Sequence, residues 1–127
     1  MTHREAIHTD EAPAAIGPYS QAVKSGNLLF ISGQIGFDPA TMEIVDGGVE
    51  AQARQVFTNL AAVAQAGGAS LQDAVKLTIY LTDLGSFAQV NELMAGVFDE
   101  PFPARATIEV SALPRGALVE IDAILAL

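Results

Sequence analysis

The chain has no cysteine. Disulfides, thiolate metal sites and a cysteine nucleophile are therefore excluded. It has only two histidines, His3 and His8, both close to the N-terminus. A Ser/His/Asp triad would have to use one of them, and terminal residues are poor anchors for catalysis. Metal binding is disfavoured for the same reason, so no metal is expected. Basic residues are scarce: 6 Lys and Arg stand against 15 Asp and Glu, a formal charge of −9. That balance repels nucleic-acid phosphates at long range, so no nucleic-acid partner is expected. No apolar run approaches the ~20 residues that span a bilayer. The opening Met1-Thr2-His3-Arg4-Glu5-Ala6 lacks the basic-then-apolar layout of a signal peptide. A cytoplasmic protein with no membrane partner is the expectation. There is also no Gly-rich phosphate loop, linker, low-complexity segment or solenoid repeat.

What remains is 127 residues, half of them hydrophobic. That is enough for one core, and it reads as a single domain over residues 1–127. Leu28–Ser32 is apolar and β-prone. The stretch before it, with Pro13 and Gly17-Pro18, reads as extended or turning. Val49, Ala53, Val56, Phe57, Leu60 and Val63 recur at the helical period, predicting a helix over Val49–Ala66 that Gly67-Gly68 ends. From Ala74 to Thr82 the period changes to two, which predicts a half-buried strand. Ser86 and Gln89 have capping-box spacing at the start of a second helix. Arg105–Ser111 and Leu118–Ala126 alternate as strands.

Two helices can cover one face of one sheet. The apolar rows Val75/Leu77/Ile79/Leu81, Ala106/Ile108/Val110 and Val119/Ile121/Ala123 are expected beneath them. The pleat then sends Lys76, Thr78, Tyr80, Arg105, Thr107, Glu109, Glu120 and Asp122 to the other face. Leu118, Ile124 and Phe30 join them there. Such a mixed face suits a subunit interface with polar groups around a cleft.

Arg105 stands out among the few bases. It opens a strand just after Phe102-Pro103-Ala104, and an arginine fork can hold a planar carboxylate through two parallel hydrogen bonds. Pattern alone favours a salt bridge to Glu109, Glu120 or Asp122. Glu120 could equally pair with Lys76 or Arg105. Thr107, Ser32 and Asn91, taken singly, are an ordinary strand threonine, a strand-end serine and a helix-flanking asparagine.

Taken together, the motifs are more specific. The chain resembles the Rid/YjgF family, most closely its reactive intermediate deaminase A (RidA) branch. The resemblance runs through Ala12-Pro13-Ala14-Ala15-Ile16-Gly17-Pro18-Tyr19-Ser20-Gln21 and Ser32-Gly33-Gln34-Ile35. It continues through Ala51-Gln52-Ala53-Arg54-Gln55, Asn59-Leu60, Asp83-Leu84 and Val90-Asn91. It ends with Phe102-Pro103-Ala104-Arg105, Ile108-Glu109-Val110, Leu113-Pro114 and Val119-Glu120-Ile121.

The resemblance implies a chorismate-mutase-like α+β fold, a single mixed sheet with two helices on one face, assembled as a homotrimer with sites in clefts between subunits. It implies hydrolysis of 2-imino acids such as 2-iminopropanoate and 2-iminobutanoate to 2-oxo acids and ammonia, with no cofactor. The family's carboxylate-binding arginine falls on Arg105, and its last-strand glutamate on Glu120. Thr107 takes the Cys-or-Thr position, with Tyr19, Ser32 and Asn91 completing the pocket. Glu120, with Thr107, is the expected activator of water. The Phe98-Asp99-Glu100-Pro101 stretch is shorter than in some relatives, which bears on the pocket rim. A 2-oxo-acid-binding sensor using the same Arg105 pocket is the alternative. Some relatives carry endoribonuclease, translation-inhibitor or chaperone labels, and the charge of −9 disfavours RNA cleavage here.

Overall fold

The alternation and helical spacing read above resolve into β1 (Glu5–Ile7), β2 (Ala22–Ser25), β3 (Leu28–Gln34), α1 (Gly48–Ala66), β4 (Ala74–Leu81), α2 (Phe87–Val97), β5 (Ala104–Glu109) and β6 (Val119–Ala126). The structure is a computed structural model and describes residues 3–127. Met1 and Thr2, part of the N-terminal stretch read above, lie outside the described residues. The strands form one sheet in the order β1-β2-β3-β6-β4-β5. All neighbours are antiparallel except β4 and β5, which are parallel because α2 forms the crossover between them. β5 is therefore an edge strand.

α1 buries Ala53, Val56, Phe57, Leu60, Val63 and Ala64. They pack against Leu29 and Ile31 of β3, Leu77, Ile79 and Leu81 of β4, and Val119, Ile121, Ala123 and Leu125 of β6. α2 adds Val90 and Met94 to the same core. Each large aliphatic side chain buried there contributes about 1.5–3 kcal/mol. Among the described residues, no helix is long and apolar enough to cross a membrane.

Three expectations change. Val75 is 45% exposed, not buried. A β-bulge between Ala74 and Lys76 adds a residue there, and Ala74 packs on the core instead. The Ser86/Gln89 capping box does not form. A 3-10 turn at Leu84–Ser86 runs straight into α2, so the cap moves back to Asp83, whose Oδ1 accepts from the Gly85 N–H at 2.8 Å. A capping box occurs instead at Ser70 and Asp73.

The third change concerns the two faces of β5. Its register pairs Arg105 with Leu77, Thr107 with Ile79 and Glu109 with Leu81. Paired residues share a face, so Arg105, Thr107 and Glu109 lie on the helix side. Ala106 and Ile108 lie on the open side, beside Thr78 and Tyr80. This inverts the expected arrangement. An edge strand is only partly roofed by α2, so its helix side can carry polar groups. Glu120 and Asp122 do face the open side, opposite Tyr80 and Thr78. Phe30 and Ile108 are exposed on that side.

Candidate active site

The six residues singled out in the sequence fall into two groups on opposite faces of the sheet. The first group surrounds a cavity of about 490 Å³ on the open side. Pro13, Ile16, Tyr19, Phe37, Arg115 and Glu120 are among its lining residues. Glu120 reaches it from β6. Burial pushes its carboxyl above the usual range, and the negative charge of Asp122 adds to the effect. Asp122 itself accepts a 3.1 Å hydrogen bond from the Tyr80 hydroxyl. Neither Lys76 nor Arg105 forms a salt bridge with Glu120. Gly33 makes room for the carboxyl: a Cβ there would stand 2.9 Å from Glu120 Cδ.

Tyr19 is carried by the loop between β1 and β2, and its hydroxyl oxygen accepts from the Ile16 N–H at 3.3 Å. Gln21 is buried and ties this loop together. Its Oε1 accepts from the Thr9 N–H at 2.7 Å, and its Nε2 donates to Pro13 O at 2.8 Å. Ser32 Oγ donates to Ser20 O at 2.5 Å, bracing the residue next to Tyr19, and does not line the cavity. Behind the wall formed by Ile35 and Phe37, Asn59 Nδ2 donates to Ile35 O at 3.3 Å and to Phe37 O at 3.0 Å. Its Oδ1 accepts from Gln55 Nε2 at 2.9 Å.

The second group lies at the edge strand, on the helix side. Arg105 Nη1 donates to Asn91 Oδ1 at 2.6 Å, and its guanidinium carbon stands 5.1 Å from the Phe87 ring centroid. Arg105, Asn91, Met94, Phe102 and Pro103 line an open hollow of about 360 Å³. Thr107 Oγ1 is buried beside this group on β5 and has no hydrogen-bond partner. Glu109 accepts from the Leu84 N–H at 2.9 Å and forms no salt bridge with Arg105.

β4 separates β5 from β6, so Arg105 and Glu120 stand about two strand spacings apart, roughly 10 Å laterally, as well as on opposite faces. The salt bridge from Arg105 to Glu120 or Asp122 is thus excluded within one chain. A hollow of about 860 Å³ between α1 and α2 contains none of the six. His8 pairs with Asp10 at 3.1 Å on the surface and lines neither cavity. Among the described residues no cluster of His, Asp and Glu could hold a metal ion.

Sequence reasoning passed over Arg115 as a cavity-lining residue and Asn59 as the buried brace behind the cavity wall. Asn59 had a legible signal, since it is an amide on the apolar face of α1 and buried polar groups need partners. Arg115 had none, because it lies in a turn between strands.

The chain matches the family model described as endoribonuclease L-PSP over residues 9–127. It is 59% identical to protein DfrA of Myxococcus xanthus over 123 residues, covering 95% of this chain and 94% of that protein. It is 47% identical over 121 residues to the 2-iminobutanoate/2-iminopropanoate deaminase of Bos taurus, covering 95% and 88%. Its fold superposes on the crystal structure of RidA from the Antarctic bacterium Psychrobacter sp. PAMC 21119 with a TM-score of 0.94 at 54% identity, covering 97% and 99% of the two chains. With its sheet, its two helices and nearly its whole length matched, the chain belongs to the endoribonuclease L-PSP family, the Rid/YjgF family of the sequence resemblance.

Proposed function

We propose that this protein hydrolyses 2-imino acids to 2-oxo acids and ammonia, at a site completed by two copies of the chain in a homotrimer. One observation carries the reading: the Arg105 fork and the Glu120 carboxyl lie on opposite faces of the sheet and cannot meet within one chain. The exposed Phe30 and Ile108 on the open face favour its burial against another copy. The two halves are different patches, so the contact between copies is head-to-tail, and a closed ring gives one site per subunit.

The chemistry requires little. A 2-imino acid carries a carboxylate beside an electrophilic C=N carbon. Arg105 holds the carboxylate, with Asn91 fixing the guanidinium. Protonation of the imine nitrogen makes the carbon electrophilic. Glu120 accepts a proton from water as its oxygen attacks that carbon, then passes it toward the nitrogen. The C–N bond breaks as the carbonyl forms, and the hydroxyl proton passes to Glu120. One water is consumed, and one 2-oxo acid and one ammonia are released. Thr107 Oγ1 is a free hydroxyl beside the carboxylate-binding half, suited to hold that water. Tyr19 closes the cavity, and Ser32 supports its loop. Positioning of this kind can contribute on the order of 7 kcal/mol. No metal or cofactor is needed for this route, and a cytoplasmic setting accords with it. The acidic surface and dispersed bases, Arg54 being paired with Glu50, weigh against RNA as substrate.

The test uses imines generated by an amino-acid oxidase and competed with semicarbazide. The protein should reduce semicarbazone formation, and Arg105→Ala and Glu120→Gln should each abolish most of that effect. Co-expression of the two variants should restore activity, to ~25% of wild type for random mixing of site-sharing subunits. No acceleration by the wild type would overturn the reading. No recovery in the mixed protein would overturn the shared site. A sensor would instead bind 2-oxo acids without turnover.

A further inference from the structure

Arg115 lies outside the six residues, yet it lines the same cavity as Tyr19 and Glu120. Its backbone is left-handed, at φ 59° and ψ 23°, between Pro114 and Gly116. An arginine has no intrinsic preference for that conformation, and residues held there tend to cluster at ligand clamps. The guanidinium carbon stands 5.8 Å from the Phe37 ring centroid, so the aromatic face holds the fork at the cavity wall. Among the described residues no Asp or Glu oxygen lies within salt-bridge range of it. Glu43 lines the shallower groove on its other side but stays outside that range. Among the described residues only Arg54 of the four arginines forms an ion pair, and of the unpaired ones Arg115 alone lines this cavity. Apolar walls from Pro13, Ile16 and Phe37 with one fork among them form a site for an anion carried on a short carbon chain.

We propose that Arg115 is a specificity-determining residue that receives a second carboxylate, at the far end of the substrate side chain, so that 2-imino dicarboxylic acids are a favoured substrate class. The inference rests on the imine-hydrolysis reading, in which Arg105 takes the carboxylate next to the C=N carbon. Two forks from two copies then match two carboxylates, and without the second the acidic protein would repel a dianion. The distal carboxylate is unchanged in the reaction, which still converts C=N and water into C=O and ammonia.

The test compares imines made by oxidase from glutamate with those made from 2-aminobutanoate. Arg115→Asn removes the charge while keeping a residue that tolerates the left-handed backbone. Arg115→Lys keeps the charge but not the fork. The ratio of kcat/KM for the dicarboxylic over the monocarboxylic imine should fall about tenfold or more in Arg115→Asn. It should fall less in Arg115→Lys. Calorimetric binding of 2-oxoglutarate and 2-oxobutanoate to the same assembled proteins gives a readout independent of turnover, with a selective loss of 2-oxoglutarate affinity expected. Equal losses for both ligand types, or no loss, would overturn the role of Arg115. If the wild type hydrolyses no imine, the functional reading falls, and the binding ratio still decides whether Arg115 recognises a second carboxylate.

Discussion

Replacing Arg105 by alanine should damage catalysis far more than the fold, and the structure supplies both magnitudes. For stability, the side chain loses a 2.6 Å hydrogen bond to Asn91 and its stacking on Phe87. Arg105 and Asn91 are both exposed on the rim of the edge strand. An exposed cation–π contact is worth about 0.5–1 kcal/mol. The hydrogen bond adds about 0.5–1.5 kcal/mol, toward the low end because Asn91 can turn to water. The sum is about 1–2 kcal/mol, a fall in Tm of roughly 3–8 °C. For catalysis, a fork on a carboxylate makes two charge-assisted hydrogen bonds of about 1.5–3 kcal/mol each. The total of about 3–6 kcal/mol, taken at its low end for solvent at an open hollow, is about 3 kcal/mol, or 10²-fold in kcat/KM.

Three measurements on one preparation separate these effects: thermal melting, sedimentation and the semicarbazide-competed imine assay. Arg105→Lys should recover little activity, because an ammonium cannot reproduce the planar two-pronged geometry. A folded, normally assembled Arg105→Ala protein with near-wild-type kcat/KM would refute the reasoning. So would a loss of activity that merely tracks the unfolded fraction.

The parts of the fold legible in the sequence are those whose pattern is local. α1 could be read because its apolar residues keep the helical period for about four turns, and β6 because Val119, Ile121, Ala123 and Leu125 alternate without interruption. β1 and β2 are three and four residues long, too short for any period to show. The face of β5 was not legible, because both of its rows can be buried or exposed on an edge. The choice is made by register against β4, which the α2 crossover sets at long range. The bulge at Val75 reverses a side chain without leaving any mark in the alternation. At the site, Arg105 and Glu120 were nameable as residue types, but their placement on opposite faces depends on that same register. Arg115 gave no signal because its position follows from a left-handed turn rather than from a repeating pattern.

Three further outcomes are expected. Gly33→Ala should lower kcat about 10–100-fold with little change in Tm, because the added Cβ displaces the flexible end of Glu120 rather than backbone; unchanged kcat would show that the position of this carboxylate does not matter. Asn59→Ala should cost about 2–3 kcal/mol in urea unfolding, since the Ile35 and Phe37 carbonyls lose their buried amide donor; a neutral result would mean that water replaces it. Glu120→Gln should raise Tm at neutral pH while removing activity. The folded-state pKa of Glu120 lies above its ordinary value of 4.5, first through burial and then through Asp122. Between the two values the native chain binds more protons than the unfolded one, so stability falls as pH rises through that window. Above it, the wild type bears the full cost of a charged carboxylate in a half-buried site, and the glutamine variant does not. The gain should therefore be greatest above the folded-state pKa and vanish once pH drops below the ordinary glutamate range. Melting curves across that range at fixed ionic strength test it. A variant less stable than wild type at neutral pH, or a difference independent of pH, would show that Glu120 is held as a partnered anion. It would then be a poor proton carrier for the imine nitrogen, because the environment that raises its pKa is also what makes its carboxylate a stronger base toward water.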